Sequence, residues 1–174
     1  MCLGYCMLFA LGSPSSVFAE EQEGGVARVR VDTEPQLIPY SRALYRFLSY
    51  KPARQEGFYT GQRCGVVVDH VVSLRDAHSS GAAYWSPAQR RIFANDKKNH
   101  VAACRRVNAS KGAAVPVDFF RRSRDGKGLD YSIHNPCEYL EIYFAVKTKY
   151  ELSFAHNDPQ VFSSCGLKIG RIRT

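Results

Sequence analysis

Val66, Val67 and Val68 run without a break into Asp69-His70, and this junction limits the fold more than any other stretch of the chain. Three β-branched residues after Gly65 read as a buried strand. Such a strand ending in an acid and an imidazole delivers two adjacent polar side chains to the edge of a core. The rest of the chain supplies what packs around it. Tyr40, Leu44, Phe47 and Leu48 are spaced for a helix over 40–50, which Pro52 stops. Ser86, Pro87 and Gln89 form a helix start for residues 87–95. The segment NHVAACRRVN reads as a second strand, after which NASKGAAVPVDFFRR begins a short helix or helix-turn. After the RDGKGLD turn, Asn135 and Pro136 open a final helix with Tyr139, Ile142, Tyr143, Val146 and Tyr150 on one face. The expectation is an α+β fold over residues 40–174, with no internal repeat.

The first nineteen residues carry no charge and give way abruptly to EEQEGG. An apolar run, a Gly-Ser-Pro break and small residues at Val17 and Ala19 read as a signal peptide over 1–19. Residues 20–39 read as a flexible lead-in. Cys2 and Cys6 fall in the signal segment, leaving Cys64, Cys104, Cys137 and Cys165. An even number in an exported chain points to two disulfides, with three connectivities available. Cys64–Cys104 and Cys137–Cys165 are preferred, because each pair flanks one structural unit. A zinc site is disfavoured, since no close C-x-x-C pair is present. The expected location is secreted or periplasmic, with no membrane insertion after processing. Apolar content of 45% excludes wholesale disorder. The net charge of +8 points to a polyanion, either nucleic acid or an anionic surface.

Asp69 is a hard oxygen ligand of the kind Mg²⁺ takes, and a neutral His70 is suited to removing a proton from water. Asn99 and Asn108 stand at the two ends of the second expected strand, followed by Lys111-Gly112. Each has an ordinary structural reading as a cap, a turn residue or a helix end. Taken together, the run DHVVSLRDAHSSGAAYWSPAQRRIFANDKKNHVAACRRVNASKGAAVP resembles the HNH endonucleases of the ββα-metal superfamily. More narrowly, it resembles bacterial secreted HNH-family proteins, over about residues 58–155.

That resemblance implies a ββα-metal core with flanking helices and a metal-dependent endonuclease of low sequence specificity acting on DNA, with RNA as the alternative substrate. It makes Asp69 and Asn108 the metal ligands and His70 the general base. Asn99 braces the loop holding that base, and Lys111 adds charge near the scissile phosphate. Asn in place of the eponymous last His favours Mg²⁺, or Mn²⁺, over zinc. His100 competes for a role, although strand alternation turns it away from Asn99. Arg105, Arg106, Arg121, Arg122 and Arg124 are the expected phosphate-binding groups. Asp76 and His78 read as loop residues, His78 on the surface. A base with an ordinary imidazole pKa makes activity fall as pH drops through about 6.5. The competing reading is a non-catalytic nucleic-acid-binding protein that keeps the fold for its basic surface.

Overall fold

The valine strand forms as expected, β1 (Val66–His70), and pairs antiparallel with β2 (His100–Cys104). The register sets Val66 opposite Cys104 and His70 opposite His100. The two ends of this small sheet therefore differ: one carries a cysteine, the other two histidines. The computed structural model describes residues 37–125 and 129–170. The expected signal peptide and residues 20–36 of the lead-in lie outside the described residues. Around the sheet, the described residues form six helices, so the coarse α+β expectation holds. None of these helices is long and apolar enough to cross a membrane.

The connection from β1 to β2 carries α1 (Leu74–Ser79), a 3-10 turn at Ala82–Tyr84, α2 (Pro87–Asn95) and another 3-10 turn at Lys97–Asn99. Local chemistry accounts for both helix starts. The Ser73 hydroxyl accepts the Asp76 N–H at 3.0 Å. Ser86 and Gln89 complete a reciprocal capping box at 3.2 and 2.9 Å. Arg90 is buried in α2 and donates to the carbonyls of Ala82, Ala83 and Trp85, satisfying the preceding turn.

After β2 the chain turns directly into α3 (Arg105–Lys111), which packs against both strands. The second strand expected over 99–108 therefore ends at Cys104, and Asn108 belongs to a helix. The region 40–50 also departs from expectation. Only a 3-10 turn forms, at Arg42–Tyr45, and Arg46 ends it in the left-handed region at φ 45°. α4 (Pro116–Arg122), α5 (Pro136–Lys149) and α6 (Pro159–Ser163) complete the described chain. α5 lays Tyr139 and Tyr143 into an aromatic cluster with Tyr59, Phe119 and Phe162, largely edge to face. Asn135 holds the N-cap position of α5, but its amide donates to Glu138 instead of its carbonyl capping the helix.

The preferred disulfides are the ones present. Cys64–Cys104 closes the sheet at the end away from the histidines, and Cys137–Cys165 ties the start of α5 to the segment after α6. Gly57 is built against the first bond. A β-carbon there meets Cys104 Sγ at 2.5 Å and the Cys104 N at 3.0 Å. Gly57→Ala is thus expected to destabilise the protein by about 1–3 kcal/mol through overpacking. A urea midpoint unchanged from wild type excludes so tight a fit.

Candidate active site

Three of the sequence-derived residues, Asp69, His70 and Asn108, line one cleft of about 410 Å³. Asp69 and His70 form its floor from the end of β1, and the C-terminal part of α3 brings Asn108 alongside.

Asp69 is buried and held from behind. Tyr59, itself fully buried, donates to Oδ2 at 2.6 Å. Lys111 Nζ lies 3.0 Å from the same oxygen, 3.3 Å from Oδ1, and donates to the His70 carbonyl at 2.9 Å. Burial and the Asp69 charge both raise the Tyr59 pKa, so the phenol keeps its proton and remains a donor. Lys111 is 0% exposed and does not line the cleft. The expectation that it adds charge near a scissile phosphate is corrected: Lys111, the last residue of α3, is buried, where it pairs with Asp69 and fixes the carboxylate.

The donor set is compatible with a hard divalent cation. Oδ1 of Asp69 has only the long Lys111 contact, and Asn108 makes no side-chain hydrogen bond among the described residues. One carboxylate oxygen and one amide oxygen, with solvent completing the shell, suit Mg²⁺, which keeps several waters. No group of three His, Cys, Asp or Glu that could hold a metal occurs among the described residues.

His70 Nε2 lies 2.8 Å from the Ala94 carbonyl. A carbonyl only accepts, so Nε2 carries the hydrogen and Nδ1 keeps its lone pair. Among the described residues no group donates to Nδ1. Phe47 and His100 pack edge to face on the ring at 4.7 and 4.6 Å. Burial lowers the His70 pKa to about 3, with the His100, Lys111 and Arg42 charges adding to the effect and the Ala94 bond opposing it. The expected loss of activity through pH 6.5 is therefore corrected, because this imidazole is already neutral well below that pH.

A stability effect follows instead. The unfolded chain takes up protons near pH 6.5 that folded His70 refuses until about pH 3. Burial also lowers His100. Stability present above about pH 6.5 is accordingly lost as pH falls toward 3, with roughly 5 kcal/mol as the upper limit from His70. Urea midpoints in EDTA should fall across this window, and less steeply in His70→Asn. Parallel slopes for the two proteins would refute the assignment.

Asn99 is fully buried. Its side chain accepts the Val72 N–H at 2.8 Å and donates to the Val72 carbonyl at 3.0 Å, while its own carbonyl accepts Val71 N–H at 2.8 Å. It thereby pins the two residues after His70. His100 does not line the cleft, and its Nε2 donates to the same Ala94 carbonyl as His70, at 3.1 Å. Its ring opens onto a different pocket, beside Arg54, Glu56 and Glu138. His78 is a buried residue of α1, with Tyr45 on Nδ1 and the Ile38 carbonyl on Nε2. Asp76 is likewise buried, held by Tyr143, Ser80 and Lys147.

The five expected phosphate-binding arginines do not gather at the cleft. Arg121 pairs with Asp118 on the surface. Arg122 donates to the carbonyls of Ser110 and Lys111 and so closes the end of α3. Arg124 lines a separate pocket with Asp130 and His134, Arg106 another with Arg122 and Leu129, and Arg105 is exposed on α3. The cleft holds Arg42 and Arg75 instead. In the sequence, Tyr59-Thr60-Gly61 reads as a hairpin turn, with no part in the site for Tyr59. Their partners are distant in the chain, and only Tyr59, near the Val66 strand, carried a local cue.

No family model matches the chain, and no solved structure matches it. It is similar to an uncharacterized secreted protein of the fungus Arthroderma benhamiae, 35% identical over 101 residues, or 57% of this chain and 45% of that protein. The chain thus spans less than half the length of that relative. A fungal relative points away from a bacterial origin, and the resemblance to bacterial secreted HNH-family endonucleases is corrected accordingly. Export is consistent across the observations: the relative is secreted and the four described cysteines form two disulfides, so the protein is extracellular.

Proposed function

We propose that this protein is an extracellular metal-dependent endonuclease that hydrolyses phosphodiester bonds of DNA with low sequence specificity, RNA being the alternative substrate. In this reading β1, β2 and α3 form a ββα-metal core. The observation that carries it is the convergence, in one cleft, of Asp69, Asn108 and a His70 whose tautomer leaves Nδ1 free. A binding protein has no use for that combination.

Asp69 and Asn108 would hold Mg²⁺, or Mn²⁺. Bound there, the cation supplies Lewis-acid stabilisation of charge on the phosphate and on the departing 3′ oxygen. The protein's own groups do the rest. His70 Nδ1 takes the proton of the attacking water, and the Ala94 carbonyl stabilises the imidazolium through Nε2–H. Tyr59 and Lys111 hold Asp69 in a single orientation, and Asn99 fixes the backbone that follows the base. The net charge of +8 brings the polyanion to the surface.

The test is nicking of supercoiled plasmid by residues 20–174 in Mg²⁺ and in EDTA. Cleavage abolished by EDTA and restored by Mg²⁺ is the expected result. Salt-sensitive DNA retention without any cleavage would replace this reading with the non-catalytic binding protein.

A further inference from the structure

The cleft has two unlike walls. One is α3, presenting Asn108, Ala109, Gly112 and Ala113. The other is cationic and aromatic: Tyr40 and Arg42 from the first 3-10 turn region, and Arg75 from the first turn of α1. Both guanidinium groups are exposed, and among the described residues neither forms an ion pair. The acid adjacent to Arg75 in sequence, Asp76, is committed inward to Lys147 and does not compete.

This wall is built rather than loosely draped. His78 donates from Nε2 to the Ile38 carbonyl at 2.7 Å and accepts the Tyr45 hydroxyl at 3.1 Å, clipping the segment that carries Arg42 to α1. Arg75 lies over the Tyr40 ring at 5.1 Å, and Tyr40 packs edge to face on His78 at 5.4 Å. Arg42 is close enough for its charge to act on His70.

The geometry points to Arg42 and Arg75 as the groups that grip the phosphates flanking the scissile bond, in place of the arginines of α3 and α4; this rests on the nuclease reading above. The ligand they fit is a sugar–phosphate backbone. Guanidinium forks pair with phosphate oxygens two at a time and carry no sequence information, in keeping with low specificity.

Arg42→Gln and Arg75→Gln are compared with wild type and with Arg91→Gln, which alters an exposed arginine on α2 away from the cleft. Steady-state cleavage of DNA gives KM and kcat. Retention of a short fluorescein-labelled duplex by the same variants in a His70→Ala background, across a salt series, gives the ionic slope. Each cleft variant is expected to raise KM about tenfold, the value of one hydrogen bond to a charged group, with kcat within about twofold. The salt slope should fall by about one per arginine, with Arg91→Gln unchanged. Wild-type KM and slope in both cleft variants would overturn the assignment while leaving the nuclease standing. A fall in kcat with KM untouched also overturns it. A wild type that neither cleaves nor retains nucleic acid removes both readings.

Discussion

His70→Ala is expected to lower plasmid nicking about 10²- to 10⁴-fold, the range for loss of a positioned general base. Salt-sensitive DNA retention should stay near the wild-type level. The variant is a fair probe because it leaves no buried acceptor without a partner. His100 also donates to the Ala94 carbonyl, so that buried acceptor keeps a partner when the imidazole is removed. The lost edge contacts with Phe47 and His100 lie on one face of the sheet end and leave the Cys64–Cys104 bond untouched. Single-turnover cleavage at saturating Mg²⁺ reads the chemical step directly. If nicking survives the substitution undiminished, the base is another group. His100 is a poor replacement, since the Tyr50 hydroxyl lies against its Nδ1 at 3.2 Å and its ring opens onto another pocket.

The largest stability effect is expected at Lys147→Met. Lys147 is 0% exposed in α5, and its Nζ reaches Asp76 at 3.1 Å, Ser80 at 2.8 Å and the Ser153 carbonyl at 2.8 Å. Burial lowers the pKa of this ammonium, and the Asp76 charge works in the opposite direction. Removing it leaves a buried carboxylate with only Tyr143 and Ser80 as donors. Breaking one side of a buried pair costs about 3–5 kcal/mol, whereas replacing both sides with packed apolar groups is often near neutral. The single variant should thus lose about 3–5 kcal/mol in urea unfolding, and adding Asp76→Leu should recover a large part of it. A single variant within about 1 kcal/mol of wild type would show that the buried pair does not hold α5 to α1.

What the sequence made legible was mostly local. The Ser86-Pro87-Gln89 start, the run from Asn135 through Tyr150 and the valine strand depend on near neighbours in the chain. The cysteine pairing, over separations of 40 and 28 residues, was legible because each pair flanks one unit. What it concealed depends on distant partners. Asp76 and His78 read as loop residues, and their burial makes sense only once Tyr45, Tyr143 and Lys147 arrive from elsewhere. The spacing over 40–50 promised a helix, but tertiary ties win: Tyr45 turns to His78, and the Leu48 N–H goes to Asn95. The same holds at the cleft. Asp69, His70 and Asn108 stood out by residue type. Lys111 stood out too, but its role in holding Asp69, the support from Tyr59, and the arginines that replace those expected from charge runs became visible only through three-dimensional contact.

One backbone oxygen, that of Ala94, receives both histidines through Nε2. The two imidazoles are therefore the same tautomer, each carrying its hydrogen on the nitrogen turned toward the other's anchor. Two like-handed rings 4.6 Å apart cannot hand a proton across, because neither offers a lone pair to its neighbour's N–H. In the proposed mechanism, a proton taken up by His70 would therefore leave without passing through His100. A solvent isotope effect should then report the single transfer from water to His70 Nδ1 in the chemical step, with no contribution from a relay inside the protein.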